Sequence, residues 1–123
     1  MYQVVFYEDS TGFSELWEFL CDLAKRSTEN KDARIQHKQI VYCIELLQKN
    51  GTRLPENITK HIADNIWELR PGDNRIFYFF CQNNTFVLLH HFRKKTQKTP
   101  QREIDRAKAE REDYLSRTVR NRT

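Results

Sequence analysis

Two arginines, Arg70 and Arg75, flank the tetrapeptide Pro71-Gly72-Asp73-Asn74, with Glu68 just ahead of the first. Proline and glycine in so short a segment dictate a tight turn. The runs on either side, Ile66 to Leu69 and Ile76 to Phe80, have the apolar and aromatic composition of strands. A hairpin closed by a four-residue loop makes Arg70 and Arg75 cross-strand neighbours, with Glu68 one same-face step away. Guanidinium groups held side by side repel, and folding does not require them. Either both are solvated at a loop mouth with Glu68 as ion-pair partner, or they form an anion site, because arginine presents a rigid fork matched to phosphate oxygens. Further on stand His90, His91, Arg93, Lys94, Lys95 and Lys98. Imidazole titrates near neutral pH and suits proton transfer, while a basic run suits a polyanion.

The histidines need separate treatment. Adjacent strand residues face opposite ways, so at most one of them reaches a given face, which argues against a shared metal ion. His90 has the parity of Phe86, Leu88 and Phe92, and His91 that of Val87, Leu89 and Arg93. His90 is then either a core or rim histidine with a satisfied ring or an acid–base group, and parity near a strand end is easily broken by a bulge.

The elements that must position these residues follow from periodicity. Tyr2 to Tyr7 reads as a strand. Phe13, Leu16, Trp17, Leu20, Leu23 and Ala24 recur at helical spacing, in a helix that ends near Ser27. A second helix fits Asp32 to Lys49, with Ile40, Val41, Ile44 and Leu47 buried and Asn50-Gly51 as its stop. The short polar joint between them favours an antiparallel helical hairpin. A loop with a brief strand at Lys60-His61-Ile62 leads into two hairpins, the second turning at Gln82-Asn83-Asn84. Thr99-Pro100 then caps a helix from Gln101 to Arg117, with a thin apolar stripe of Ile104, Ala107 and Tyr114 or Leu115. The expected fold is an α+β domain over residues 1–117, with a polar, frayed tail at 118–123. Its N-terminal strand joins a mainly antiparallel sheet, the two-helix hairpin covers one face, and the other face stays partly open with Glu68 and Arg70 on or beside it. Phe13, Trp17 and Phe77 are assigned to the core, and Tyr78 to either the core or base stacking.

A chain of 123 residues suffices for one domain with a real core. No apolar run reaches membrane-spanning length and the start reads as a strand in place of a signal peptide, so a cytoplasmic location is expected. Cys21, Cys43 and Cys81 are odd in number and widely spaced, which disfavours a disulfide framework or a zinc site and favours buried thiols. The net charge of +4 conceals an asymmetry: Met1 to Phe92 holds 10 Lys and Arg against 12 Asp and Glu, whereas Arg93 to Thr123 holds 11 against 5. The excess positive charge all lies at the C-terminal end.

The order of elements, with the segments Ile66-Trp67-Glu68-Leu69-Arg70, Arg75 to Phe80, Leu88 to Phe92 and Lys94-Lys95-Thr96-Gln97-Lys98-Thr99-Pro100, resembles the RelE/ParE superfamily of bacterial toxins. Within it the chain is similar to the phage-derived HigB-like branch. The resemblance implies the toxin of a type II toxin–antitoxin pair that cleaves mRNA on the translating ribosome. It would be neutralised by a HigA-like helix-turn-helix antitoxin, through which alone it would meet operator DNA. ParE-like members share the fold but poison DNA gyrase, so a gyrase inhibitor is an alternative, as is a non-catalytic RNA- or antitoxin-binding module.

The implied chemistry needs neither metal nor cofactor: the ribose 2′-hydroxyl attacks the adjacent phosphate, with groups to stabilise the phosphorane and move protons. By the resemblance Arg75 is the phosphate-stabilising arginine and Arg70 a second basic position. Lys94 and Lys95 join the catalytic set, and Arg93, Lys94, Lys95 and Lys98 hold the RNA backbone. His90 is favoured over His91 for acid–base work. Glu68 stands where RelE-like members carry a lysine, and serves either as general base or to orient the arginines. The RelE-like closing tyrosine has no counterpart, Tyr114 lying too far along the last helix.

Overall fold

The computed structural model describes residues 1–121, and Arg122 and Thr123 lie outside it. The elements are β1 (Gln3–Phe6), α1 (Glu15–Arg26), α2 (Lys31–Asn50), β2 (Thr59–Ala63), β3 (Ile66–Leu69), β4 (Asn74–Cys81), β5 (Thr85–Arg93) and α3 (Gln101–Asn121). Both helices of the hairpin start on side-chain caps. The Ser14 hydroxyl accepts from the Trp17 amide at 3.1 Å and Asn30 Oδ1 accepts from the Ala33 amide at 2.9 Å, each cap worth about 1 kcal/mol. Gly51 ends α2 with φ of 61°, a conformation open to a residue without Cβ.

The strands form one sheet in the order β1-β5-β4-β3-β2. All pairs are antiparallel except β1 with β5, which run parallel. The sheet is α+β and mainly antiparallel, as expected. On one face Leu16, Leu20 and Leu23 of α1 and Ala33, Ile40 and Leu47 of α2 close over Leu69, Ile76, Tyr78, Phe86 and Leu88.

The other face is not open. Helix α3 packs Ile104, Ala107, Tyr114 and Leu115 against Phe77, Phe79, Val87 and Leu89. Its stripe is thin in sequence, but polar ties supplement it. The Tyr7 hydroxyl donates to Asp113 at 2.7 Å, and Arg117 binds Asp113 and the carbonyls of Glu8 and Asp9 while lying over the Tyr7 ring. These ties carry the helix past Arg117 to Asn121, so the first four residues of the expected tail continue α3.

Part of the predicted core is misplaced. Phe13, which precedes the Ser14 cap and so lies outside α1, is 50% exposed, and Trp17, at the edge of the α1 stripe, is 53% exposed, whereas Phe77 is fully buried. Among the thiols only Cys43 is buried; Cys21 and Cys81 are partly exposed. Among the described residues no helix is long and apolar enough to cross a membrane.

Candidate functional site

Strands β3 and β4 deliver the arginines. Leu69 pairs with Ile76, so Arg70 and Arg75 stand across the mouth of the turn at 71–74. The Asn74 amide closes the turn on the Pro71 carbonyl at 3.0 Å, and Gly72 takes φ of 60° within it. Glu68, opposite Phe77, is fully buried. Its Oε1 accepts a hydrogen bond from Arg70 Nε at 3.1 Å and lies 3.8 Å from Arg75 Nε. Its Oε2 lies 3.4 Å from the Thr99 hydroxyl, which donates to it. A carboxylate out of water needs such partners, and here both oxygens are taken.

Arg75 Nη1 donates to the carbonyls of Gly72 and Asn74, each at 2.8 Å, which fixes the plane of the guanidinium. Its Nε is buried and lacks a hydrogen-bond acceptor among the described residues. Burial pushes the Arg75 pKa down, Arg70 adds to this, and Glu68 and Asp73 oppose it. Arg70 Nη1 donates to the Glu56 carbonyl at 3.0 Å.

Lys94 follows β5 and enters the site through its backbone, the amide donating to the Asp73 carbonyl at 2.9 Å. Desolvation lowers its amine below the ordinary lysine value, Arg75, Arg70 and Lys60 push the same way, and Glu68 pushes back. Arg93 pairs with Asp73 at 3.6 Å, and Lys95 and Lys98 are exposed in the segment before α3. The structure thus gathers Arg70, Arg75, Glu68 and Lys94 at one end of the sheet, beside the start of α3.

It does not bring His90 there. The β4–β5 register shifts between Ile76, opposite His91, and Tyr78, opposite Leu88, so Leu89 and His90 both stand against Phe77. This bulge turns His90 to the α3 face. The ring is fully buried, with Nδ1 2.6 Å from Glu110 and Nε2 3.0 Å from Glu103. Both nitrogens are engaged away from the arginines, which removes His90 from the acid–base candidates. His91 points to the opposite face, stacked on Phe19 at 4.0 Å. Tyr78 is buried with its hydroxyl 2.6 Å from that of Thr59, so it belongs to the core and offers no ring to a base.

Thr99 and Lys60 also join the site, which their place in the sequence does not show. The first intrahelical bonds of α3 are accepted by the Pro100 carbonyl, one residue later than the expected cap, which leaves the Thr99 side chain for Glu68. Lys60 is the strand partner of Glu68. Only the β2–β3 register reveals this, since the loop before β2 has no fixed length in sequence terms. Among the described residues no cluster of three or more His, Cys, Asp or Glu is arranged to hold a metal ion.

Comparison with known proteins comes from two directions. A chain of the archaeal RelE-RelB complex from Pyrococcus horikoshii OT3 superposes with a TM-score of 0.54 at 12% identity, covering 76% of this chain and 96% of that one. At that identity the likeness establishes a shared fold. No curated protein matches the sequence. Residues 28–112, which hold α2, the β2–β5 hairpins and the whole cluster around Glu68, match the family described as Phage derived protein Gp49-like (DUF891). The chain therefore belongs to the phage-derived Gp49-like family.

Proposed function

We propose that the protein is a toxin of the HigB-like kind, a ribosome-dependent endoribonuclease that cleaves translated mRNA in the cytoplasm and is held in check by a HigA-like helix-turn-helix antitoxin. The observation that carries this reading is the convergence of Arg70 and Arg75 on one buried carboxylate, with Lys94 within electrostatic reach. Such a cluster is suited to a dianionic phosphorane: the guanidinium groups are fixed before substrate arrives, so little reorganisation is needed as charge develops.

The ribose 2′-oxygen forms a bond to the adjacent phosphorus, the bond from phosphorus to the 5′-oxygen breaks, and a 2′,3′-cyclic phosphate and a 5′-hydroxyl result. Arg75, with Arg70 beside it, holds the non-bridging oxygens. The 2′ proton passes to water and Lys94 gives a proton to the leaving 5′-oxygen, a task for which a lowered lysine pKa is favourable. Glu68 positions the arginines, since neither oxygen is free to meet a ribose hydroxyl. Arg93, Lys95 and Lys98 hold the flanking RNA backbone.

Primer extension on a defined mRNA, with and without translating ribosomes, tests the reading. Cuts are expected only with ribosomes, and Arg75→Ala removes them while leaving the circular dichroism spectrum unchanged. An absence of cuts from the wild-type protein in both conditions, or undiminished cutting by folded Arg75→Ala, overturns it.

A further inference from the structure

The basic residues of the site come from β3, β4 and the segment after β5, but the geometry points to a contribution from the edge strand as well: we propose that Lys60 on β2 is an RNA-positioning residue. It would hold a backbone phosphate next to the one cleaved and lead single-stranded RNA across the strands. This rests on the nuclease reading and extends the track to the sheet edge.

The argument begins with register. Lys60 faces Glu68 across the β2–β3 pair, and cross-strand partners share a face. Its ammonium therefore lies on the side that carries Arg75, and its charge is felt by the Lys94 amine. Lys60, Arg70, Arg75 and Lys94 thus surround Glu68, four cations about one buried carboxylate. Adjacent strands are about 4.8 Å apart, so the line from β2 to β5 extends about 14 Å, more than one phosphate group occupies.

The position of Lys60 is also fixed from below. Its neighbour Thr59 is buried, and the Thr59 hydroxyl donates to the Glu68 carbonyl at 3.0 Å. Glu56 links Lys60 to Arg70: its carbonyl accepts from Arg70 Nη1 at 3.0 Å, and its carboxylate stands 3.6 Å from Lys60 Nζ. The latter pair is open to solvent, Lys60 and Glu56 side chains being 46% and 72% exposed. An exposed pair of this kind contributes little to stability and is readily exchanged for a phosphate. The lysine head is thus exposed and weakly held, while its backbone is fixed by the β2–β3 pairing opposite Glu68.

The test is the salt dependence of binding to a single-stranded oligoribonucleotide carrying a 2′-deoxy block at the scissile position, measured by fluorescence anisotropy. Each phosphate contact contributes about 0.7 to the slope of log affinity against log salt. Lys60→Gln is expected to flatten the slope by about 0.7, which corresponds to about fivefold weaker binding near 0.1 M salt relative to a 1 M reference. Lys60→Arg restores the slope, and Lys25→Gln, on the exposed side of α1, leaves it unchanged. A slope for Lys60→Gln equal to that of the wild type, while Arg75→Ala flattens it, overturns the role of Lys60 and keeps the nuclease reading. A wild-type protein with no salt-dependent RNA binding overturns the role of Lys60, while the cutting assay with translating ribosomes decides the nuclease reading by itself.

Discussion

Glu68 and Arg75 meet on the diagonal: the strand partner of Glu68 is Phe77, yet its Oε1 lies 3.8 Å from Arg75 Nε, while Arg70 on its own strand donates to the same oxygen at 3.1 Å. Diagonal neighbours on one face are about 7–8 Å apart at the backbone, a gap that arginine spans and shorter side chains do not. The carboxylate thus joins the two sides of the turn and offsets the repulsion between the guanidinium groups.

Removing that charge should loosen the site and destabilise the fold. Glu68→Ala is expected to cost about 2 kcal/mol, less than the ~3–5 of a fully buried pair because both arginines keep part of their hydration. Urea denaturation measures this. In Glu68→Gln, cleavage falls but the pH–rate profile keeps its shape. Loss of one limb of that profile would identify Glu68 as a general base instead.

His90 belongs to the attachment of α3. His90→Ala is expected to lower stability by about 3 kcal/mol, since it opens a cavity, removes the ring between Glu103 and Glu110, and leaves Glu110 with Arg106 alone. Below its melting temperature the variant should cleave RNA at near wild-type rate. Folded His90→Ala protein with no activity would return the residue to the chemistry.

His91 makes the fold sensitive to acid. Desolvation holds its pKa below the ordinary value, and His90 and Arg106 add to this against Glu15 and Glu103. The unfolded chain therefore takes up the proton first as pH falls through about 6.5. Stability is complete above that value and declines below it. His91→Phe, which preserves an aromatic ring against Phe19, should flatten the fall of melting temperature as pH drops below about 6.5. Glu15, held low by Arg106 and His91 in spite of partial burial, acts only further down the acid range. An unchanged profile in His91→Phe would disprove the assignment.

Burial pushes the Cys43 thiol up to about 11. Near pH 8 iodoacetamide should label Cys21 and Cys81 long before Cys43, and urea should abolish the difference. Mass spectrometry of timed samples reads the order, and early labelling of Cys43 in native protein would contradict it.

The turn at 71–74 and the strands beside it were legible because Pro71, Gly72 and the aromatic runs each have a local physical meaning. The basic residues were legible by type. Three features were not. Alternation places Glu68 opposite the core that Leu69 enters, but the partners that enclose its carboxylate, Arg70, Arg75 and Thr99, are brought together only by tertiary structure. The bulge at Leu89 and His90 is a property of strand pairing and leaves no mark in residue types. Helical spacing counted Trp17 with Leu16 and Leu20, although it falls at the margin of that face.

The parallel pairing of β1 with β5 also bears on how the chain matures. Gln3 finds its partner Thr85 only after most of the polypeptide has been made, and contacts so distant in sequence are slow to form. During synthesis β1 must wait while the helical hairpin and the β2–β4 strands assemble. Lys94 and Thr99, which complete the surroundings of Glu68, come later still. A nascent chain stalled before them carries Glu68 and both arginines on an unfinished sheet, so the site proposed for RNA cleavage is complete only near the end of its own translation.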